Sequence, residues 1–349
     1  MTDPDRRSFL TTALASIGLA ATTSFDPRAL FAQDAVARAN RIDLHHHFSP
    51  PAWIAEVSGR PLLNPANPRW LPEHSIEDMD RGDCAASVIS ITNPGLYFGD
   101  RETTRRLARE CNEYGANLVE TYPTRFGLFA AMPLPDVDAT LAEIEYAYDT
   151  LHVDGIGLMT SYDENTWLGN TSFRPVMEEL NRRNAVVHVH PTAANCCRNL
   201  SYGVNPGSME YGTDTTRAIV GVCFSGDAAM FPNIRFIWSH AGGSLPFLAG
   251  RIDRASRNAQ DRLPNGFIQQ AAQFYYDTAG ATNRGALVSL LELVNSDHVV
   301  FGTDFPPGGT IQGTADALRS LNLFDAGDLR AIDRDNAVRL IPRLNDSVL

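Results

Sequence analysis

The stretch Arg41-Ile-Asp-Leu-His-His-His-Phe48 decides how the rest of the chain is read. Its residues suit a β-strand, where side chains alternate between faces, so His45 and His47 point the same way. His46 points the other way, toward whatever covers the sheet, and drops out of the set of possible metal ligands. By the same parity Asp43 shares the face of His45 and His47, placed to orient a ligand histidine from behind. Three later strand-like runs also end in a metal ligand or a base: Val186-Val-His-Val-His190, Ile234-Arg-Phe-Ile-Trp-Ser-His240 and His298-Val-Val-Phe-Gly-Thr-Asp304. Each passes at once into turn residues: Pro191, Ala241-Gly242-Gly243 and Phe305-Pro306-Pro307-Gly308. Polar groups at the carboxyl ends of successive parallel strands are the active-site arrangement of a (β/α)8 TIM barrel.

Working outward from that stretch, strand and helix periodicities alternate to the end of the chain. Strands are expected at 41–48, 86–92, 126–132, 155–159, 185–190, 234–240, 273–278 and 298–304. Between them helical spacing predicts helices at 100–122, 137–151, 173–183, from 214, at 243–256 and at 283–294. Closing helices follow at 315–321 and 326–340. A short helix is expected to start with Ser75 as its N-cap and Asp78 three residues on. Two long Pro- and Gly-rich connections, 49–72 and 191–213, read as walls or lids over the site. Nothing breaks the composition between 41 and 349, so this is one barrel domain.

Residues 1–40 stand apart. Asp5-Arg-Arg-Ser-Phe-Leu10 leads into an apolar run to Ala21 that is too short to span a bilayer, followed by small residues at Ala35-Val-Ala37. This resembles a twin-arginine export signal and linker, a receptor-read address and not an anchor. It implies a periplasmic or exported protein; without such a signal the location would be cytoplasmic.

Composition narrows the chemistry. The 349 residues carry a net charge of −12, which argues against nucleic acid or an anionic membrane surface as partner. All 29 basic residues are arginine, so Schiff-base catalysis by a side-chain lysine and a metal pair bridged by a carbamylated lysine are both excluded. The five cysteines show no zinc-knuckle spacing and cannot form a complete set of disulfides. The adjacent pair Cys196 and Cys197 reads as two thiols in a loop.

What remains is His45, His47, His190 and Asp304: three neutral imidazoles and a carboxylate around one divalent ion. Zinc suits this donor set, and manganese or iron would also be accepted. His240 is left over, one strand end away, as a further ligand or as a base for water or substrate. His188 lies one layer below His190 and reads as a barrel-interior residue.

These motifs (Asp-Leu-His-His-His, Val-His-Pro, Ser-His-Ala-Gly-Gly and Gly-Thr-Asp-Phe-Pro) resemble the amidohydrolase superfamily. The closer likeness is to its branch of aminocarboxymuconate semialdehyde decarboxylases and metal-dependent aromatic-acid decarboxylases, 6-methylsalicylate decarboxylases among them. Arg125-Phe-Gly-Leu-Phe-Ala-Ala-Met-Pro-Leu-Pro135, Asp214-Thr-Thr-Arg-Ala218 and Pro246-Phe-Leu-Ala-Gly-Arg-Ile252 support it. The resemblance implies metal binding by His45, His47, His190 and Asp304, and activation of water or substrate by His240. It also implies that Arg251 reaches a substrate carboxylate, in some members from a neighbouring subunit, and that Arg69 or Arg60 supplies a second arginine. A homodimer follows from the same likeness. The implied activity is non-oxidative decarboxylation of a small aromatic or unsaturated carboxylic acid, with His240 or Asp304 delivering the proton. Hydrolysis of a lactone or amide at the same metal is the alternative.

Overall fold

The computed structural model describes residues 40–163, 166–194, 197 and 202–348. The expected export leader and Cys196 lie outside them. Eight parallel strands follow in chain order around one sheet: β1 (Arg41–His47), β2 (Cys84–Ser90), β3 (Phe126–Ala131), β4 (Gly155–Met159), β5 (Val186–His190), β6 (Arg235–Trp238), β7 (Tyr275–Asp277) and β8 (Val299–Val300). Backbone bonds from Leu44 to the Phe301 carbonyl (3.0 Å) and from His47 to the Phe305 carbonyl (2.8 Å) bring β8 back onto β1. This is the (β/α)8 barrel that the strand ends predict.

The pleat sorts the apolar side chains into two cores. Outward-facing Ile89, Leu128, Ile156, Leu158, Val187 and Val189 pack under the helices. Inward-facing Ile42, Leu44, Val88, Phe129, Val186, Ile237 and Val300 fill the lower barrel. Ala337, Leu340, Ile341 and Leu344, from the last helix and the turn after it, join this inner cluster. They stop the end of the barrel at which the strands begin. The opposite end, where the strands finish, is left for chemistry.

The helices begin where local chemistry allows. Asp100 caps Arg101–Thr121 by accepting from the backbone of Glu102 and Thr103. Asn283 caps Arg284–Leu291 through Ala286. Ser75 is not an N-cap. The helix Pro72–Arg81 opens on its proline, which needs no amide partner at that position, and so places Ser75 inside it. Asp78 accepts instead from the Ile311 amide at 2.9 Å. A helix Pro51–Val57 occupies part of the first long connection, and the helix Gly207–Phe224 begins seven residues before position 214. Local Gly and Pro content masked both. The final helical run passes through one π-helical stretch, Ala331–Asp335. No helix among the described residues is long and apolar enough to cross a membrane.

Candidate metal centre

The site begins with an irregularity in β1. Asp43 pairs with Ser87 of β2, yet His46 pairs with Ile89, so Leu44 and His45 together face Val88. One extra residue in a strand re-aims every side chain beyond it. Ile42 and Leu44 therefore point into the barrel, and so do His45 and His47. Asp43 is consequently not on the ligand face. It points outward with His46, accepting from His46 Nδ1 at 3.0 Å and from Thr303 Oγ1 at 2.6 Å. His46 Nε2 meets Ser75 Oγ at 2.8 Å. This outer network ties β1 to the end of β8 and to the helix Pro72–Arg81.

The residue that orients a ligand imidazole is Asp277, at the end of β7. Its Oδ2 lies 2.8 Å from His45 Nδ1 and 3.4 Å from His188 Nε2, and its Oδ1 accepts from the His240 amide at 2.9 Å. One buried carboxylate thus aims the His45 ring and fixes the backbone of His240. Tyr275-Tyr-Asp-Thr-Ala-Gly280 carries the same signature as the other strand ends, a strand closing in a polar residue before a glycine. Asp277 was therefore open to the same reading. His188 lies flat on Phe129, ring centroids 5.5 Å apart, as an interior residue.

Four side chains converge above Asp277: His45, His47, His190 and Asp304. His45 Nε2 and His47 Nε2 are 3.1 Å apart. The same nitrogens of His45, His47 and His190 lie 3.5, 2.9 and 3.9 Å from Asp304 Oδ1. Each imidazole donates its other nitrogen to an acceptor: His45 to Asp277, His47 to the Ser90 carbonyl (3.2 Å) and His190 to the Pro191 carbonyl (2.9 Å). In the neutral tautomers those partners select, all three Nε2 atoms carry lone pairs, aimed at one another and at a carboxylate. Asp304 Oδ1 is itself buried without a hydrogen-bond partner. One proton between His45 and His47 could satisfy only that pair, whereas a cation among the four satisfies them all. These residues fit a metal ion.

The electrostatics agree. Burial works against charge on His45, but Asp277 and Asp304 hold its pKa up at about 10. Burial depresses His47 to about 4 and His190 to about 3, keeping both neutral. Burial would raise Asp304 too, yet the four surrounding imidazoles hold it well below the usual carboxylate range. The site therefore calls for positive charge at one place. Close packing makes the convergence possible. A Cβ on Gly302 would come within 2.8 Å of His45 Cβ, and one on Gly308 within 2.5 Å of Asp304 Cβ.

His240 stands beside this group. Its Nε2 is 3.6 Å from Asp304 Oδ2, and its Nδ1 is buried without a partner. His240 and Ala241 have φ of 56° and 54°, in the left-handed region, which turns the ring back over the barrel end. A cavity of about 1180 Å³ opens above, lined by His190, His240, Asp304, Asn93 and Tyr211. None of the three arginines lines it. Arg251 and Arg69 are exposed, and the Arg60 guanidinium lies 4.0 Å over Phe98 and 2.7 Å from Glu56.

The family model described as Amidohydrolase matches residues 42–343. A decarboxylase of Aspergillus niger is 38% identical over 323 residues, covering 87% of this chain and 88% of that one. The 6-methylsalicylic acid decarboxylase of Penicillium expansum is 34% identical, covering 87% and 97%. Among solved structures, a dihydroxybenzoic acid decarboxylase from Polaromonas, with bound manganese and the inhibitor 2-nitroresorcinol, superposes with a TM-score of 0.76. Its identity is 22%, and the match covers 88% of this chain and 97% of that one, a likeness of fold.

Proposed function

We propose that this chain, which belongs to the amidohydrolase family, is a metal-dependent carboxy-lyase that removes CO2 from a small ortho-hydroxylated aromatic acid of the 6-methylsalicylate type. The observation that carries the reading is the convergence of three imidazole Nε2 atoms on one carboxylate oxygen, with His240 beside them. The relatives at 38% and 34% identity are decarboxylases, which favours loss of CO2 over hydrolysis of a lactone or amide.

His45, His47, His190 and Asp304 would hold the ion. When bound, a divalent cation supplies positive charge that anchors a carboxylate with its neighbouring oxygen and stabilises negative charge developing between them. Zinc suits three imidazoles and a carboxylate; manganese, found in the Polaromonas neighbour, is the other choice, and elemental analysis of protein purified without added metal decides between them. His240 Nε2 faces the cavity and protonates the ring carbon that bears the carboxylate. The C–C bond pair then returns to the ring as CO2 departs, and His240 recovers its proton from water. Asp304 Oδ2 lies 3.6 Å from His240 Nε2. Asp277 keeps His240 and His45 in register.

Incubation of the metal-loaded enzyme with ortho-hydroxybenzoates, read as CO2 and phenol released, tests the proposal. Turnover of lactones or amides with no CO2 from any acid overturns it. Export through the leader, and a homodimer in which exposed Arg251 serves a neighbour's cavity, belong to the same proposal. N-terminal sequencing of secreted protein and light scattering test them.

A further inference from the structure

The imidazoles of the metal centre are not held alike. His45 Nδ1 has a carboxylate directly behind it, Asp277 at 2.8 Å, whereas His190 Nδ1 meets the carbonyl of its own neighbour, Pro191, at 2.9 Å. A neutral carbonyl is the weaker acceptor of the two. That carbonyl is one end of a peptide plane whose other end is the Thr192 amide. The amide donates to Thr160 Oγ1 at 3.0 Å, and Thr160 gives its own hydroxyl proton to Asp214 Oδ2 at 2.5 Å. A single line of donors and acceptors thus runs from Asp214, through one hydroxyl and one peptide, to the His190 ring.

Asp214 is fully buried on the helix Gly207–Phe224 and is built into the wall at several points. Trp167 Nε1, which can only donate, reaches its Oδ1 at 2.5 Å. The Ser161 and Thr192 hydroxyls stand 3.1 and 3.2 Å from its Oδ2, and exposed Arg217 comes within 3.8 Å of Oδ1. Asn93 Nδ2 donates to the Pro191 carbonyl at 2.9 Å, so the peptide plane is fixed at both ends. In a buried, low-dielectric setting the bonds of such a line polarise one another. A carboxylate at its far end makes the Pro191 carbonyl a stronger acceptor, holds the His190 Nδ1 proton more firmly and leaves Nε2 the better metal ligand.

We infer that Asp214 is a positioning residue for His190, acting through Thr160 and the Pro191–Thr192 peptide. It does at one remove what Asp277 does for His45 by direct contact. The inference rests on His190 as a metal ligand and not on the reaction, so ion binding judges it.

Full-length protein, stripped of metal and titrated with zinc or manganese against a chromogenic chelator, provides the test. Asp214→Asn keeps the shape and removes the charge. It should weaken ion binding about tenfold, at the lower end of the roughly 10–100-fold that partners of metal ligands contribute. Thr160→Val cuts the line and should weaken binding about as much, whereas Thr160→Ser keeps the hydroxyl and should bind as the natural protein does. Ser161→Ala removes a hydroxyl beside the same Asp214 oxygen but off the line, and should also leave affinity unchanged. Because Asp214 and Thr160 share one line, the double variant should lose no more than either single change. Unchanged affinity in Asp214→Asn, an equal loss in Ser161→Ala, or losses that add in the double variant would reduce Asp214 to a structural tie and overturn the inference. Should Asp214→Asn fail to fold, the two Thr160 variants decide alone, and equal affinities in them overturn it. If the natural protein takes up neither ion, the metal centre fails and the inference with it. Ion binding as expected with no CO2 from any acid sinks only the decarboxylase reading.

Discussion

The two sides of the barrel mouth obey opposite rules. Around β1, β5, β7 and β8 the barrel mouth carries His45, His47, His188, His190, Asp277 and Asp304, packed until ring nitrogens stand 3.1 Å apart. Across the barrel, β3 and β4 offer alanine and glycine at the same height and leave a hole. The first side spends burial on polar groups and needs a cation to settle them; the second leaves out packing. Both are local losses of stability that the lower barrel and the helical layer offset.

The sharpest way to break the comparison is to take away the ion. Chelation should abolish CO2 release, and added zinc or manganese should restore it; full activity in metal-free protein would leave the crowded side without its role. His240→Asn comes next. It should lower kcat by roughly 10²–10⁴-fold, the usual worth of a general acid, while metal content stays the same. Loss of the metal together with activity would make His240 a ligand. Asp277→Asn should weaken metal affinity roughly 10–100-fold, because His45 loses the carboxylate that aims it. Competition with a chromogenic chelator measures this, and unchanged affinity would remove Asp277 from the site. The smallest effect sharpens the contrast from below. Ile237→Val, in the inner apolar cluster, should cost about 0.5–1.5 kcal/mol in denaturant unfolding and leave metal affinity untouched.

Much of this was legible in the chain itself. Strand periodicity, closed each time by a polar residue and a turn, located His45, His47, His190, His240 and Asp304 and, with them, the barrel. What stayed hidden has physical causes. Parity along β1 fails because the strand carries an extra residue, and the register slip that moves Asp43 outward is set by its pairing with β2, not by its own composition. Asp277 carried a readable signal, but its work, holding two other histidines, depends on partners 232 and 37 positions away. Arg251 and Arg69 are exposed on this chain, and no periodicity says which surface a second copy would cover. The hole beside β3 and β4 is an absence of side chains, visible only once β3, β4 and β5 are in register.

The stopper at the foot of the barrel fixes an order of events. Ala337, Leu340, Ile341 and Leu344 follow all eight strands in the chain, and Arg41 of the first strand pairs with Asp333, 292 positions later and 3.2 Å away. Until those turns emerge from the ribosome, the inner cluster has no floor, however complete the strands above it. Nascent chains stalled before position 337 should therefore remain protease-sensitive, and resistance should arrive in a single step once residues 337–344 are out.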